Sequence, residues 1–189
     1  VRREAEMTPP DWNSRKLHFI GIGGAGMSGL ALVAVRLGAD VSGSDRNESS
    51  YLERVRRSGA TVFLGHGADN LPSGADVVIS TAIAGDNPEL AAAREGGHRV
   101  LHRSDLLSEF SSEKRTIAVA GTHGKTTTTG MLIWAMRNLG MDPAFFIGGE
   151  LPGVADDGGP SNSGGGEGEW AVVEADESDG SFLVLDPEV

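Results

Sequence analysis

Short apolar runs alternate with amphipathic stretches along this chain at a steady pace. Lys16–Ile20 is an apolar-leaning run that stops abruptly at Gly21, and residues 27–37 then carry apolar side chains around most of a helical circumference, as a helix packed on a sheet does. The pattern predicts a second strand over 39–44 ending at Asp45, a charged amphipathic helix over Ser50–Arg57 and a third strand over 60–64. Residues 76–80 predict a fourth strand, with Val77, Val78 and Ile79 continuous, as in strands buried on both faces. A helix over 87–95, a strand over 98–101 and a short helix over 105–110 follow. Strands alternating with helices at this interval indicate βαβ units and a parallel sheet.

The polar, charged stretch 108–116 is read as a hinge, after which the cycle restarts: strand 116–120, a glycine-rich loop, helix 126–139, strand 144–147. Residues 148–169 are glycine-rich and acidic with two prolines, and are expected to be too polar to pack, forming a mobile loop or hairpin. The pattern returns as a strand over 170–175. Two units are therefore expected, 1–112 and 113–189, with no internal repeat of fixed period.

Composition narrows the functional classes. A formal net charge of −11 disfavours nucleic acid, whose phosphates call for a surplus of Lys and Arg, but leaves nucleotides open, since backbone amides and a few placed cations suffice for them. With no cysteine there is neither a disulfide framework nor a thiolate metal site. Residues 1–13 are polar with two prolines and do not read as a signal peptide, and no run approaches the ~20 apolar residues of a membrane span. A soluble, cytoplasmic protein is expected.

The glycines cluster where chemistry is expected. Gly21-Ile22-Gly23-Gly24-Ala25-Gly26 fits G-x-G-x-x-G between a predicted strand and helix. Such glycines let the backbone turn sharply and let a diphosphate approach the helix N-terminus, whose free N–H groups and dipole favour negative charge. Asp45 lies about 20 residues on, the spacing of a ribose-hydroxyl acceptor. The motif alone also suits a merely tight strand–helix turn, and it does not separate NAD from a UDP-sugar. The second loop, Gly121-Thr122-His123-Gly124-Lys125-Thr126-Thr127, is sharper. Its amides would wrap β- and γ-phosphates, Lys125 would set a cation on them and the Thr126 hydroxyl would hold Mg²⁺. It departs from the usual P-loop in having two residues between its glycines rather than about four, with Val119 where the earlier glycine would stand.

Other candidates are weaker. His123 sits inside the second loop, where a second-layer or solvent-facing role competes with direct chemistry. His18, His98 and His102 show no metal-ligand spacing, whereas His66, between Gly65 and Gly67 after a strand, is placed near a ligand. The run Glu174-Ala175-Asp176-Glu177-Ser178-Asp179 puts carboxylates at the end of an apolar strand, where an ATPase holds a magnesium ligand. Strand alternation would put Glu174 and Asp176 on one face. A solvated acidic turn is the alternative, strongest for Asp179.

The order G-I-G-G-A-G-M-S-G, S-T-A-I-A-G-D-N-P-E, G-T-H-G-K-T-T-T-T, E-A-D-E-S-D closely resembles the Mur ligase family over nearly all of the chain from Lys16 to Val189. The resemblance implies an α/β fold: a Rossmann-like parallel-sheet N-terminal domain for the UDP-sugar, followed by part of a P-loop-type α/β ATPase domain. It implies UDP-N-acetylmuramate, ATP and L-alanine as reactants, with Mg²⁺ as cofactor and an acyl phosphate between two steps. Carried over, Gly21, Gly23, Gly24, Ala25, Gly26, Met27 and Ser28 would cradle the UDP diphosphate, with Asp45, His66, Ser80, Thr81 and Asn87 also on the UDP-sugar. Gly121 to Thr127 would hold ATP, Lys125 and Glu174 would serve the chemistry, and Thr126 and Glu174 would ligate magnesium. Glu177 and the stretch 80–89 would lie near the muramyl end. The family's central domain continues to a histidine on a second magnesium, and a further domain receives the amino acid; neither falls within these residues, so the chain reads as a piece with little or no turnover alone. A ligase that recycles a preformed tripeptide, an NAD-dependent dehydrogenase and a non-catalytic nucleotide-binding regulator are the rival expectations. The intact first loop disfavours the first rival, and the G-K-T loop with its acidic partner disfavours the others.

Overall fold

The computed structural model of the chain describes residues 11–154, 161–175 and 185–189. After a 3-10 turn at Trp12–Ser14, the first half runs β1 (Lys16–Ile20), α1 (Ala25–Arg36), β2 (Asp40–Asp45), α2 (Ser50–Arg57), β3 (Thr61–Leu64), β4 (Asp76–Ile79), α3 (Pro88–Glu95), β5 (Val100–His102) and α4 (Arg103–Ser112). Its five strands are all parallel, in the order β3-β2-β1-β4-β5. Order reverses between β1 and β4, and in such sheets ligands lie beyond the strand C-termini at that switch point.

Alternation along the strands assigns the two faces. Leu17, Phe19 and Val78 pack with Met27, Leu30 and Ala34 of α1, Leu52 and Val55 of α2, and Leu106 of α4. Ile20 and Val77 point the other way, onto Leu90 and Ala93 of α3. Helices cover both faces, which is why β1 reads as a continuous apolar run: from Leu17 to Ile20 it is wholly buried. The one polar member of that run, His18, is 0% exposed and needs a partner inside.

The second half runs β6 (Arg115–Val119), α5 (Lys125–Asn138), β7 (Ala144–Leu151), β8 (Ser161–Gly164) and β9 (Trp170–Glu174). The sheet order is β6-β9-β7-β8, with β8 antiparallel to β7 and the other pairs parallel. Ile133 and Met136 of α5 pack on Phe145, Ile147 and Val172, while Val173, Ala175 and Phe146 face Leu107 of α4. Trp12, Phe110 and Phe146 stack in series, with ring centroids 4.6 and 6.0 Å apart, joining the two halves through apolar contact.

Two expectations change. The hinge over 108–116 shrinks to Glu113–Lys114, because α4 continues to Ser112, with Phe110 and Ser111 buried against the second sheet. The stretch expected to be too polar to pack contains β8, whose Ser161, Asn162 and Ser163 are 2–5% exposed. Hydrogen bonding offsets part of that burial: the Ser161 hydroxyl donates to the Ser163 carbonyl and Asn162 Nδ2 to the Ala25 carbonyl of α1, while Asn162 Oδ1 and Ser163 Oγ have no partner among the described residues. Gly29 of α1 permits the close approach, since a Cβ there would lie 3.1 Å from Ser163 Cβ.

Candidate active site

The first glycine loop is pinned to the end of β2. Gly21 turns the chain at φ 82°, in the left-handed region that glycine occupies without strain. The amides of Gly21 and Ile22 both donate to the Ser44 carbonyl, at 2.8 and 3.0 Å. Gly23 N donates to Asp45 Oδ2 at 2.9 Å, and Asn47 N to Asp45 Oδ1 at 3.2 Å, so the Asp45 carboxylate braces the loop backbone. Gly24 begins α1 without a side-chain cap. The first-turn amides at Ala25, Gly26 and Met27 therefore lack intrahelical acceptors and form a nest for an anion. Met27 and Ser28 are themselves buried, Ser28 Oγ donating to the Ala25 carbonyl. The guanidinium of Arg103, at the start of α4, lies directly against Gly26, where any Cβ would meet it.

Around the same sheet edge, Ser80 and Thr81 follow β4, with Thr81 exposed and Ser80 Oγ accepting from Ala82 N at 3.4 Å. Asn87 is buried, and its Oδ1 caps α3 by accepting from Glu89 N and Leu90 N at 2.9 and 3.2 Å. Glu89 turns inward and is 0% exposed. Its Oε2 accepts from Ser44 Oγ at 2.5 Å, and its Oε1 from Asn70 Nδ2 at 2.7 Å and Gly67 N at 3.2 Å. His18 Nε2 and His66 Nδ1 stand 3.5 and 3.6 Å from Oε2. Burial opposes charge on Glu89, but contacts from His18, Ser44, Asn70 and the Gly67 amide outweigh it and hold the carboxyl down to about 2.

The second loop follows β6. Gly121 and Gly124 adopt φ 140° and 77°, and Gly124 immediately precedes α5. Lys125 Nζ donates to the Gly121 carbonyl at 2.7 Å, so the cation overhangs the cradle that the loop encloses. Thr122, His123 and Thr127 are all exposed on or beside it. Thr126 Oγ1 donates to Glu174 Oε1 at 2.9 Å, and Gly148 N donates to Glu174 Oε2 at 2.8 Å, bringing together two hard oxygen donors from α5 and β9. Among the described residues no three His, Cys, Asp or Glu side chains converge on a metal position. One carboxylate and one hydroxyl beside a glycine-rich turn that opens a helix is a donor set that suits Mg²⁺, which keeps waters and phosphates as its remaining ligands. Asp176, Glu177 and Asp179 lie outside the described residues.

A cleft of about 120 Å³ runs from the start of α1 to Glu174, the hydrogen-bond partner of Thr126. Gly26 and Arg103 line its first end, Phe146 and Asn162 its middle, and Gly148 and Glu174 its second. Sequence reading did not single out Arg103, Asn162 or Gly148. Arg103 stands at a helix start with no motif around it, and Asn162 sits in a stretch whose polarity argued against packing.

Residues 16–115 match the family described as Mur ligase family, catalytic domain. The chain is 53% identical over 173 residues to UDP-N-acetylmuramate–L-alanine ligase of Streptomyces griseus subsp. griseus, covering 91% of this chain and 36% of that protein. It is 47% identical to the protein of the same name from Oleidesulfovibrio alaskensis, covering 92% and 37%. The crystal structure of UDP-N-acetylmuramate-alanine ligase from Thermotoga maritima superposes with a TM-score of 0.83 at 36% identity, over 91% of this chain and 39% of that one. A murein peptide ligase from Psychrobacter arcticus superposes with a TM-score of 0.82 at 32% identity, over 92% and 42%. The chain thus spans little more than a third of the length of these amino-acid ligases. No described helix is long and apolar enough to cross a membrane.

Proposed function

The chain belongs to the Mur ligase family, and from that premise we propose that it forms the UDP-sugar site and the phosphate-binding part of a cytoplasmic, ATP-dependent ligase joining L-alanine to UDP-N-acetylmuramate in peptidoglycan synthesis. The observation that carries this reading is the pair of glycine loops, each opening a helix, with a cleft running from Gly26 and Arg103 to Glu174, the hydrogen-bond partner of Thr126. A dinucleotide site would need no second cradle, so the dehydrogenase alternative leaves half of the geometry without a use.

In this reading residues 1–112 hold the UDP-sugar and residues 113–189 begin the ATP unit. The UDP diphosphate sits on the amides of Ala25, Gly26 and Met27, with Arg103 opposite as counter-charge. The muramyl group then extends through the cleft toward Glu174. ATP lies on the amides of residues 121–127, and Lys125 Nζ moves from the Gly121 carbonyl to the γ-phosphate. Thr126 and Glu174 hold Mg²⁺, which supplies positive charge against the triphosphate when bound. The sugar's lactyl carboxylate takes the γ-phosphoryl group and ADP departs; the amine of L-alanine then attacks the acyl carbon and phosphate leaves. These residues orient the carboxylate and neutralise the transferring group, which is most of what phosphoryl transfer requires. Choice of L-alanine over a preformed tripeptide is supported by identities of 36–53% to alanine ligases against 32% to the murein peptide ligase.

Calorimetric titration of the chain with UDP-N-acetylmuramate, ATP–Mg²⁺ and NAD⁺ tests the reading. Binding of the UDP-sugar without NAD⁺ is expected, with little or no turnover by this chain alone. Binding of NAD⁺ and not the UDP-sugar would overturn it.

A further inference from the structure

The ends of β1, β2 and β3 lie side by side, so the loop at Gly21, the Asp45 carboxylate and the His66 ring form a row along one sheet edge. With a diphosphate on the first loop and a ribose beside β2, the base falls beyond β3, against His66. What His66 offers there depends on which ring nitrogen carries the proton, and its neighbours decide that.

The hydrogen-bond arithmetic has one solution for the neutral ring. Glu89 is ionised and can only accept. Ser44 has a single hydroxyl proton and lies 2.5 Å from Glu89 Oε2, so it donates there. Ser44 Oγ can then only accept from His66 Nδ1, 2.8 Å away, and the proton is on Nδ1. Glu89 Oε2, 3.6 Å from the same nitrogen, favours the same tautomer. Nε2 is left with its lone pair, aimed away from the buried carboxylate by the shape of the ring.

We infer that Glu89 and Ser44 are positioning residues that present His66 Nε2 as an acceptor, and that this acceptor selects a base carrying an N–H at the facing position. With position 3 of the pyrimidine facing Nε2, uracil offers its N3–H there, whereas cytosine offers a lone pair. The base assignment rests on the UDP-sugar reading above; the tautomer does not.

Glu89→Gln makes the relay run backwards. The donors Gly67 N and Asn70 Nδ2 at Oε1 require the amide oxygen to stay at that place. The amide nitrogen therefore takes the Oε2 position and donates to Ser44 Oγ. Ser44 must then donate to His66 Nδ1, and the ring proton moves to Nε2. Ser44→Ala, a smaller change, removes the relay's centre and serves where Glu89→Gln folds poorly.

The experiment is nitrogen-15 NMR of histidine-labelled chain, with calorimetry using UDP and CDP as probes. Wild type is expected to show His66 protonated on Nδ1 and to prefer UDP by at least tenfold. Glu89→Gln is expected to show the Nε2–H form and to lose or reverse that preference; Ser44→Ala is expected to reduce the preference at least severalfold. A wild-type His66 protonated on Nε2 would overturn the relay. So would an unchanged UDP-to-CDP ratio in both variants. Failure of wild type to bind UDP at all would instead overturn the UDP-sugar reading, while the NMR signature still decides the relay by itself.

Discussion

Glu89 gives the fold a measurable acid sensitivity. The side chain is 0% exposed, and its carboxyl is held at about 2 against an ordinary 4.5. The folded state therefore releases this proton more readily than the unfolded chain. Stability from the ionised group is complete above about pH 4.5 and is lost as pH falls from there towards 2. At about 1.36 kcal/mol per pH unit the contribution is of the order of 3 kcal/mol, a large share of the ~5–15 kcal/mol that holds a typical domain together. In Glu89→Gln the side-chain amide imitates the protonated acid in shape and removes the pH-dependent part. Urea unfolding of wild type and Glu89→Gln at about pH 7, 5, 4 and 3 follows it, the steps from pH 5 to 3 most directly, because His18 and His66 also face the carboxylate while carboxylates remote from it titrate alike in both proteins. The gap is expected to be about 3 kcal/mol at neutral pH and to fall below half of that by about pH 3. A gap that stays constant across this range, or equal stability at neutral pH, would refute the reasoning.

Three further outcomes are expected. Gly43→Ala would set a Cβ 2.5 Å from the Phe19 carbonyl oxygen and 2.7 Å from Ile22 Cδ1; a loss of about 1–3 kcal/mol should follow, visible in the thermal midpoint. Arg103→Met removes the cation against Gly26 and should weaken UDP-N-acetylmuramate binding at least tenfold in calorimetry, with ATP–Mg²⁺ binding little changed. Glu174→Gln should do the converse, lowering the Mg²⁺-dependent part of ATP binding while the UDP-sugar titration stays as in wild type.

The first sheet was legible because its signals are local. Continuous apolar residues in β1 and β4, turns at Gly21 and Gly65, and the charged face of α2 each declare themselves within a few positions. Both glycine loops were legible for the same reason, since their requirement for positive φ at Gly21, Gly121 and Gly124 is written in the residue type. The end of α4 was not. Its serines look like loop residues until Ser111 Oγ is seen to donate back to the Leu107 and Ser108 carbonyls within the helix. The role of Glu89 was hidden too. An acid in the first turn of a helix is adequately explained by the helix dipole, and only the tertiary fold brings Ser44, Asn70 and His66 around it.

β8 shows why the link between the two sites lay beyond sequence reading. Glu113–Lys114 is the covalent connection between the halves, but two residues of backbone do not set an orientation. That is done by Phe110 against Phe146, and by Ser163 against Gly29. Asn162 completes it by placing its amide on the Ala25 carbonyl, in the first turn of α1. The same β8 pairs with β7, whose Gly148 amide holds Glu174. A polar four-residue strand thus connects the first turn of α1 to the carboxylate beside Thr126. The spacing of the two glycine loops is a property of this packing. The glycine motifs themselves carry no information about it, because each motif reports its own turn and nothing of the surface against which that turn is docked.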